Sequence, residues 1–211
     1  MTMIDRRLCS NAGVTLVELL VATTLSLATM ATVLTFQRAQ FFALHDQMKQ
    51  LQMQDATRAV VDLFAREMRR AGRDPACTKI FTPIMLGSAS EVQFREDLNS
   101  NGTLDSATEE LRYRMIDSVR LERVAGDSVE VLVSGVDLTG SRFRYFDGAG
   151  NELVPSPTLS DAQRATVRRV RLELATTWHD AGSPRSAPLA AQAATDVELR
   201  NRFFLHAESC S

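Results

Sequence analysis

The chain has 211 residues, with 24 Lys and Arg against 26 Asp and Glu for a net charge of −2, so no basic excess points to nucleic acid. Setting aside an apolar N-terminal stretch leaves about 170 residues, the size of one domain around a single core. There is no nucleophile motif or glycine-rich phosphate loop, and His45, His179 and His206 have no Cys, Asp or Glu at zinc-ligand spacing, so the reading is non-enzymatic and without a resident cofactor.

Residues Met1 to Gly13 form a short polar leader carrying Arg6 and Arg7. From Val14 to Phe36 there follow 23 residues with one charge, enough at about 1.5 Å per residue to cross a hydrocarbon layer of about 30 Å. The leader arginines place the N-terminus on the cytoplasmic side and the bulk of the chain outside, a single-pass topology with an extracytoplasmic head. Thr15, Ala22, Thr23, Thr24, Ser26, Ala28, Thr29, Ala31 and Thr32 keep one side of this span small, either for close packing of like helices or simply because lipid tolerates them. Glu18 is the one charge, and a carboxylate in a bilayer calls for a named partner. No Lys or Arg lies between Val14 and Phe36, so the cation must come from outside the run or from an amine freed by a cut after Gly13.

No Pro or Gly interrupts the chain from Val14 until Gly72, and Phe41, Leu44, Met48, Leu51, Ala56, Val60, Leu63, Phe64, Met68 and Ala71 recur at steps suited to one apolar helix face. The opposite face, including Asp46, Lys49, Asp55, Arg58, Asp62, Arg66, Glu67 and Arg69, is expected to be solvated or subunit-facing. Gly72, with Arg69, Arg70 and Arg73 beside it and Pro75 after, should stop the helix after some 58 residues, about 87 Å. The pattern then switches to period two: Val92–Arg95, Leu111–Met115, Val119–Val124, Val129–Val133, Phe143–Phe146, Val167–Leu174 and Asp196–Phe203 are predicted strands. Asn101-Gly102, Gly126-Asp127, Thr139-Gly140, Asp147-Gly148 and Gly150-Asn151 supply the turns, and Pro155–Gln163 and Ala181–Ala194 are predicted loops. Connections this short favour one mostly antiparallel sheet laid on the helix, an α+β fold. Trp178 reads as core or rim, and Arg168, Arg169 and Arg171 as a strand's solvated side.

Asp97-Leu98-Asn99-Ser100-Asn101-Gly102-Thr103-Leu104-Asp105 sets oxygen-bearing side chains at positions one, three, five and nine, glycine at six and an apolar residue at eight, as in the first part of a calcium loop of EF-hand type. Position twelve is Thr108, so Glu109 or Glu110 would have to close the site from a shifted register. The expected ligand set is Asp97, Asn99, Asn101, Thr103, Asp105 and Glu109; the competing reading is a plain Asn-Gly turn.

Gly13-Val14-Thr15-Leu16-Val17-Glu18-Leu19-Leu20, behind a basic leader and at the head of a long apolar run, resembles the prepilin processing motif of type IV pilins and type II secretion pseudopilins. Met68-Arg69-Arg70-Ala71-Gly72 and the final Val197-Glu198-Leu199-Arg200-Asn201 are similar to PilW-like minor pilins and J-type minor pseudopilins. The resemblance implies a type IV pilin fold: leader 1–13, assembly helix 14–36, and a head from 37 to 211 in which helix 37–72 packs on the sheet. It also implies cleavage between Gly13 and Val14 by prepilin peptidase, N-methylation of Val14, and pairing of Glu18 with a neighbouring subunit's amine. Val14 stands where the family usually has Phe. The implied function is a minor pilin that primes assembly at or near the pilus tip. Its implied partners are other minor and major pilins, the inner-membrane assembly platform and the lipid bilayer, with no nucleic acid. Two other readings stay open: a minor pseudopilin of a type II secretion system, and a signal-anchored periplasmic binding module. Cys9 would leave with the leader, so Cys77 and Cys210 remain in an oxidising compartment and are expected to pair as a disulfide, the alternative being two independent buried thiols.

Overall fold

The computed structural model describes residues 13–75, 82–103, 105, 108–117, 119–178 and 188–200. Helix α1 (Leu16–Met68) runs for 53 residues, and the chain divides between Gln47 and Met48 into two compact units, each described here by itself. In the first unit the helix starts at Thr15, whose hydroxyl accepts the Glu18 N–H at 3.2 Å, three residues in, as an N-cap does. The large apolar side chains from Val14 to Phe36 are exposed, and this helix is the one among the described residues long and apolar enough to cross a membrane.

In the second unit, the five strands β1 (Ile84–Gly87), β2 (Glu91–Arg95), β3 (Glu110–Ile116), β4 (Arg120–Ala125) and β5 (Ser128–Ser134) form an antiparallel sheet in sequence order. Strands β6 (Arg142–Phe146), β7 (Glu152–Leu153), β8 (Arg169–Trp178) and β9 (Leu189–Glu198) form a second antiparallel sheet, ordered β7-β6-β8-β9. The single sheet expected from the turns is therefore two. The change of sheet happens at Gly135, which has φ +75° and lies so close to β8 that a Cβ there would sit 2.3 Å from the Thr177 carbonyl oxygen. Only glycine fits that approach. Its N–H donates to the carbonyl of Val119, the residue before β4, and its own carbonyl accepts from Thr177 N of β8, so one residue ties the entry to β4 to the second sheet.

Alternation supplies the core. Val92, Phe94, Leu111, Tyr113, Val170, Leu172 and Leu174 point inward from their strands and meet Val60, Val61, Phe64, Ala65 and Met68 of α1. Phe64 packs edge-on against Tyr113 of the first sheet, ring centroids 5.2 Å apart, and at 5.6 Å from Phe143 of the second. The expected apolar face of the helix is covered only from Thr57 onward; Phe41, Leu44, Met48 and Leu51 are exposed. Regular helix ends at Met68, and tighter turns carry the chain to Gly72 at φ +74°, whose N–H donates to Arg95 O at 2.7 Å.

Three predicted boundaries are corrected. Of the loop expected over Ala181–Ala194, residues 181–187 lie outside the described residues and 189–194 belong to β9, as does the start of the strand expected at Asp196–Phe203. The alanine-rich half of β9 has weak strand propensity, but a ten-residue register with β8 overrides that; residues 201–203 lie outside the described residues. Inside the expected loop Pro155–Gln163 begins α2 (Asp161–Thr166), started by a capping box in which Ser160 and Gln163 bond reciprocally. Strands β1 and β7 are too short for a period-two pattern to reveal.

The outer face of the second sheet is a ladder of ions rather than free arginines. Arg171 pairs with Asp196, Arg142 and Arg144 with Glu173, and Arg169 lies 4.3 Å over the Phe146 ring. The Arg171 guanidinium holds the Asp196 carboxyl below its ordinary range, as Arg144 does for Glu152. A depressed native value means the stabilisation is present above the unfolded pKa and is lost as pH falls through the native one. Asp196→Asn is accordingly expected to lower the melting temperature near neutral pH, with the gap from wild type closing between about pH 5 and pH 3. Thermal circular dichroism across that range is the check; a gap that widens in acid would refute it.

Candidate functional site

Gly13 and Val14 are exposed ahead of the helix, and a Cβ built on Gly13 would have nothing within 4 Å, so the peptide bond between them is open to a protease. Glu18 follows in the first helical turn, where an acid is favoured by the helix dipole. Along the next turns every hydroxyl is satisfied within the helix. Thr23, Thr24, Thr29, Thr32 and Thr35 donate to carbonyls three residues back, and Ser26 to the one four back, at 2.7–3.0 Å. These bonds reduce the cost of placing hydroxyls in lipid. The charge of Glu18 has no such internal answer, since no Lys or Arg stands between Arg7 and Arg38.

The second sequence motif lies in the connection from β2 to β3, residues 96–109. It is a long loop, not a hairpin turn. Asp97 and Glu109 are fully buried in it. Asp97 Oδ2 accepts the Gly102 N–H at 3.0 Å, whereas its Oδ1, also buried, has no hydrogen-bond partner among the described residues. Glu109 gathers the loop's backbone: Oε1 accepts from Leu98 N and Asn99 N, and Oε2 from Asp105 N at 2.8 Å. Asn99 Oδ1 accepts from Asn101 N, and Asn101 Oδ1 from both the N–H and the hydroxyl of Thr103. Ser100 and Gly102 take positive φ, 62° and 73°, to close these turns. All six expected ligands, Asp97, Asn99, Asn101, Thr103, Asp105 and Glu109, are therefore bonded into one loop. Among the described residues no three His, Cys, Asp or Glu side chains converge on a single point, so the acids alone do not form a ready-made ligand cage.

Just outside this loop, Glu67 corrects the expectation of a solvated face. It is buried, its carboxylate gripped by Arg123 at 2.8–3.1 Å and hydrogen-bonded by the Tyr113 hydroxyl. Burial and then the bond to Glu67 push the Tyr113 hydroxyl well above its ordinary range. Its place three residues after Phe64 and one before Met68, at the border of the buried face, was the available signal. Glu96 is also buried and pairs with Arg70 at 3.0 Å; burial raises its carboxyl pKa against the pull of Arg70. His45 is exposed and Trp178 is half-exposed with the Lys49 ammonium 5.7 Å from its ring centroid, while Cys77, Cys210, His179 and His206 lie outside the described residues.

A family model described as prepilin peptidase-dependent protein B matches residues 46–184. That match begins beyond the processing motif, so the head and the N-terminal segment are separate observations pointing the same way. No curated protein matches the chain. Among solved structures it is similar to a type IV-like pilin, TTHA1219 from Thermus thermophilus, at 14% identity and a TM-score of 0.48, covering 70% of this chain and 95% of that one. With well over half of its residues inside the family match, the chain belongs to the prepilin peptidase-dependent protein B family.

Proposed function

We propose that this protein is a minor pilin that primes assembly of a type IV pilus at or near its tip. In this reading prepilin peptidase cuts between Gly13 and Val14, the new amine is methylated, and the helix holds the chain in the inner membrane with its head in the periplasm until it joins other minor and major pilins. The observation that carries it is the placement of Glu18. It is the sole charge of the exposed apolar segment from Val14 to Phe36, one turn from a peptide bond whose cleavage would create the missing amine, on a chain whose head matches the family independently. The same segment would serve a minor pseudopilin of type II secretion, so the two are separated by which machinery its deletion disables, piliation or protein export. Cys77 and Cys210 form the bridge of the mature chain on this reading, which non-reducing peptide mapping checks.

The test has two parts. Mass spectrometry of the N-terminal peptide from purified membranes should find it beginning at methylated Val14. Glu18→Ala should remain in the membrane at wild-type level while dropping to background in sheared filaments, or in the secretion apparatus. A chain still carrying its leader, or a Glu18→Ala variant that assembles normally, would favour a signal-anchored binding module instead.

A further inference from the structure

The β2–β3 loop holds a charge problem that its own residues do not solve. From Glu96 to Leu111 the sequence has five acidic residues and no basic one. Arg70 answers Glu96 and Arg95 answers Glu110, at 3.0 and 2.6 Å. Asp97 and Glu109, both fully buried, have no ion pair with any described residue. The three N–H groups that converge on Glu109 suit a carboxylate, which accepts only. Buried charges are paired or coordinate metals, because an unanswered one carries a large desolvation cost. The unsatisfied atom belongs to a carboxylate tied into this loop: Asp97 Oδ2 accepts the Gly102 N–H, while Oδ1 of the same group is buried with no hydrogen-bond partner among the described residues.

We propose that this loop binds one calcium ion, with Asp97 Oδ1 as the leading ligand and Asn99, Asn101, Thr103, Asp105 and Glu109 supplying the remaining oxygens. The donors are hard oxygens of mixed type, from carboxylate, amide and hydroxyl groups, on a backbone turned through two positive-φ positions. Calcium accepts six to eight such oxygens in adaptable geometry, whereas magnesium demands a small regular octahedron and keeps its waters. Calcium would draw in the acids that do not converge without it, and would fix the long connection between β2 and β3. The affinity expected is that of extracellular modules, about 10⁻⁴–10⁻³ M.

Equilibrium dialysis of the full-length chain in detergent against radioactive calcium is the test. Wild type should take up one ion per chain, with excess magnesium failing to displace it, and Asp97→Asn should weaken binding about tenfold or more, since a formal charge is removed from the set. Asp147→Asn, in the tight turn after β6, should bind as wild type does. If Asp97→Asn does not fold by circular dichroism, Asn101→Ala at an exposed loop position takes its place with the same expected loss. No saturable uptake by the wild type, equal displacement by magnesium, or unchanged affinity in a folded loop variant would overturn the proposal.

Discussion

Replacing Phe64 by Ala is expected to cost the head about 3–5 kcal/mol, the range for a fully buried aromatic ring, and to lower its melting temperature by about 10 °C or more. The position is the reason for so large an effect. Phe64 is fully buried on the helix and touches Tyr113 from the five-stranded sheet and Phe143 from the four-stranded one. The cavity left behind would thus border three elements, none of which can move in without leaving the others. Phe41, on the same nominal apolar face but 68% exposed, provides the contrast: Phe41→Ala should change stability by no more than about 0.5 kcal/mol. Thermal denaturation followed by circular dichroism in detergent compares the two. Equal losses would mean that the core does not begin where the burial places it.

The second large effect is expected at Glu67. Removing its carboxylate by Glu67→Ala strands the Arg123 guanidinium and the Tyr113 hydroxyl in the core. Breaking a buried ion pair by deleting one partner costs about 3–5 kcal/mol; because the Arg123 side chain is 24% exposed and regains some water, about 2–3 kcal/mol is the better expectation. Glu67→Ala combined with Arg123→Met should recover part of that loss, since an apolar pair leaves no charge unanswered. Chemical denaturation of the single and double variants measures it. A double variant less stable than the sum of the two single losses would show that the ion pair is not what Glu67 contributes.

How much of this was legible depended on whether the signal was local. The apolar span, the lone Glu18 behind Gly13-Val14, and the alternating strands around Tyr113 and Val170 are written in periods that any short window shows, and these gave the helix, most strands and the N-terminal segment. Other elements exist only because of pairing across the fold. Ala190, Ala191, Ala193 and Ala194 carry little strand preference of their own, yet they lie in register with β8. Splitting the strands into two sheets required knowing how closely Gly135 approaches Thr177. Glu67 looked like one more surface acid because its partners are distant in sequence. Two capping pairs, Thr15 with Glu18 and Ser160 with Gln163, follow the local capping pattern; the first gives Glu18 a helix-starting context as well as its proposed role in assembly. In the β2–β3 loop the spacing of oxygen ligands is visible in the sequence, but the burial that leaves Asp97 and Glu109 without a counter-ion among the described residues is not.

The inward-turned hydroxyls of the N-terminal helix have one more consequence. With the hydrogens of Thr23, Thr24, Ser26, Thr29, Thr32 and Thr35 committed to their own backbone, the segment meets a neighbour with contour and almost no directional chemistry. In the proposed assembly such a rod slides and spins against another at little cost until Glu18 meets the partner amine. On that reading the axial stagger of adjoining rods is set at one notch, near the tip of each, rather than by a ladder of contacts along their length.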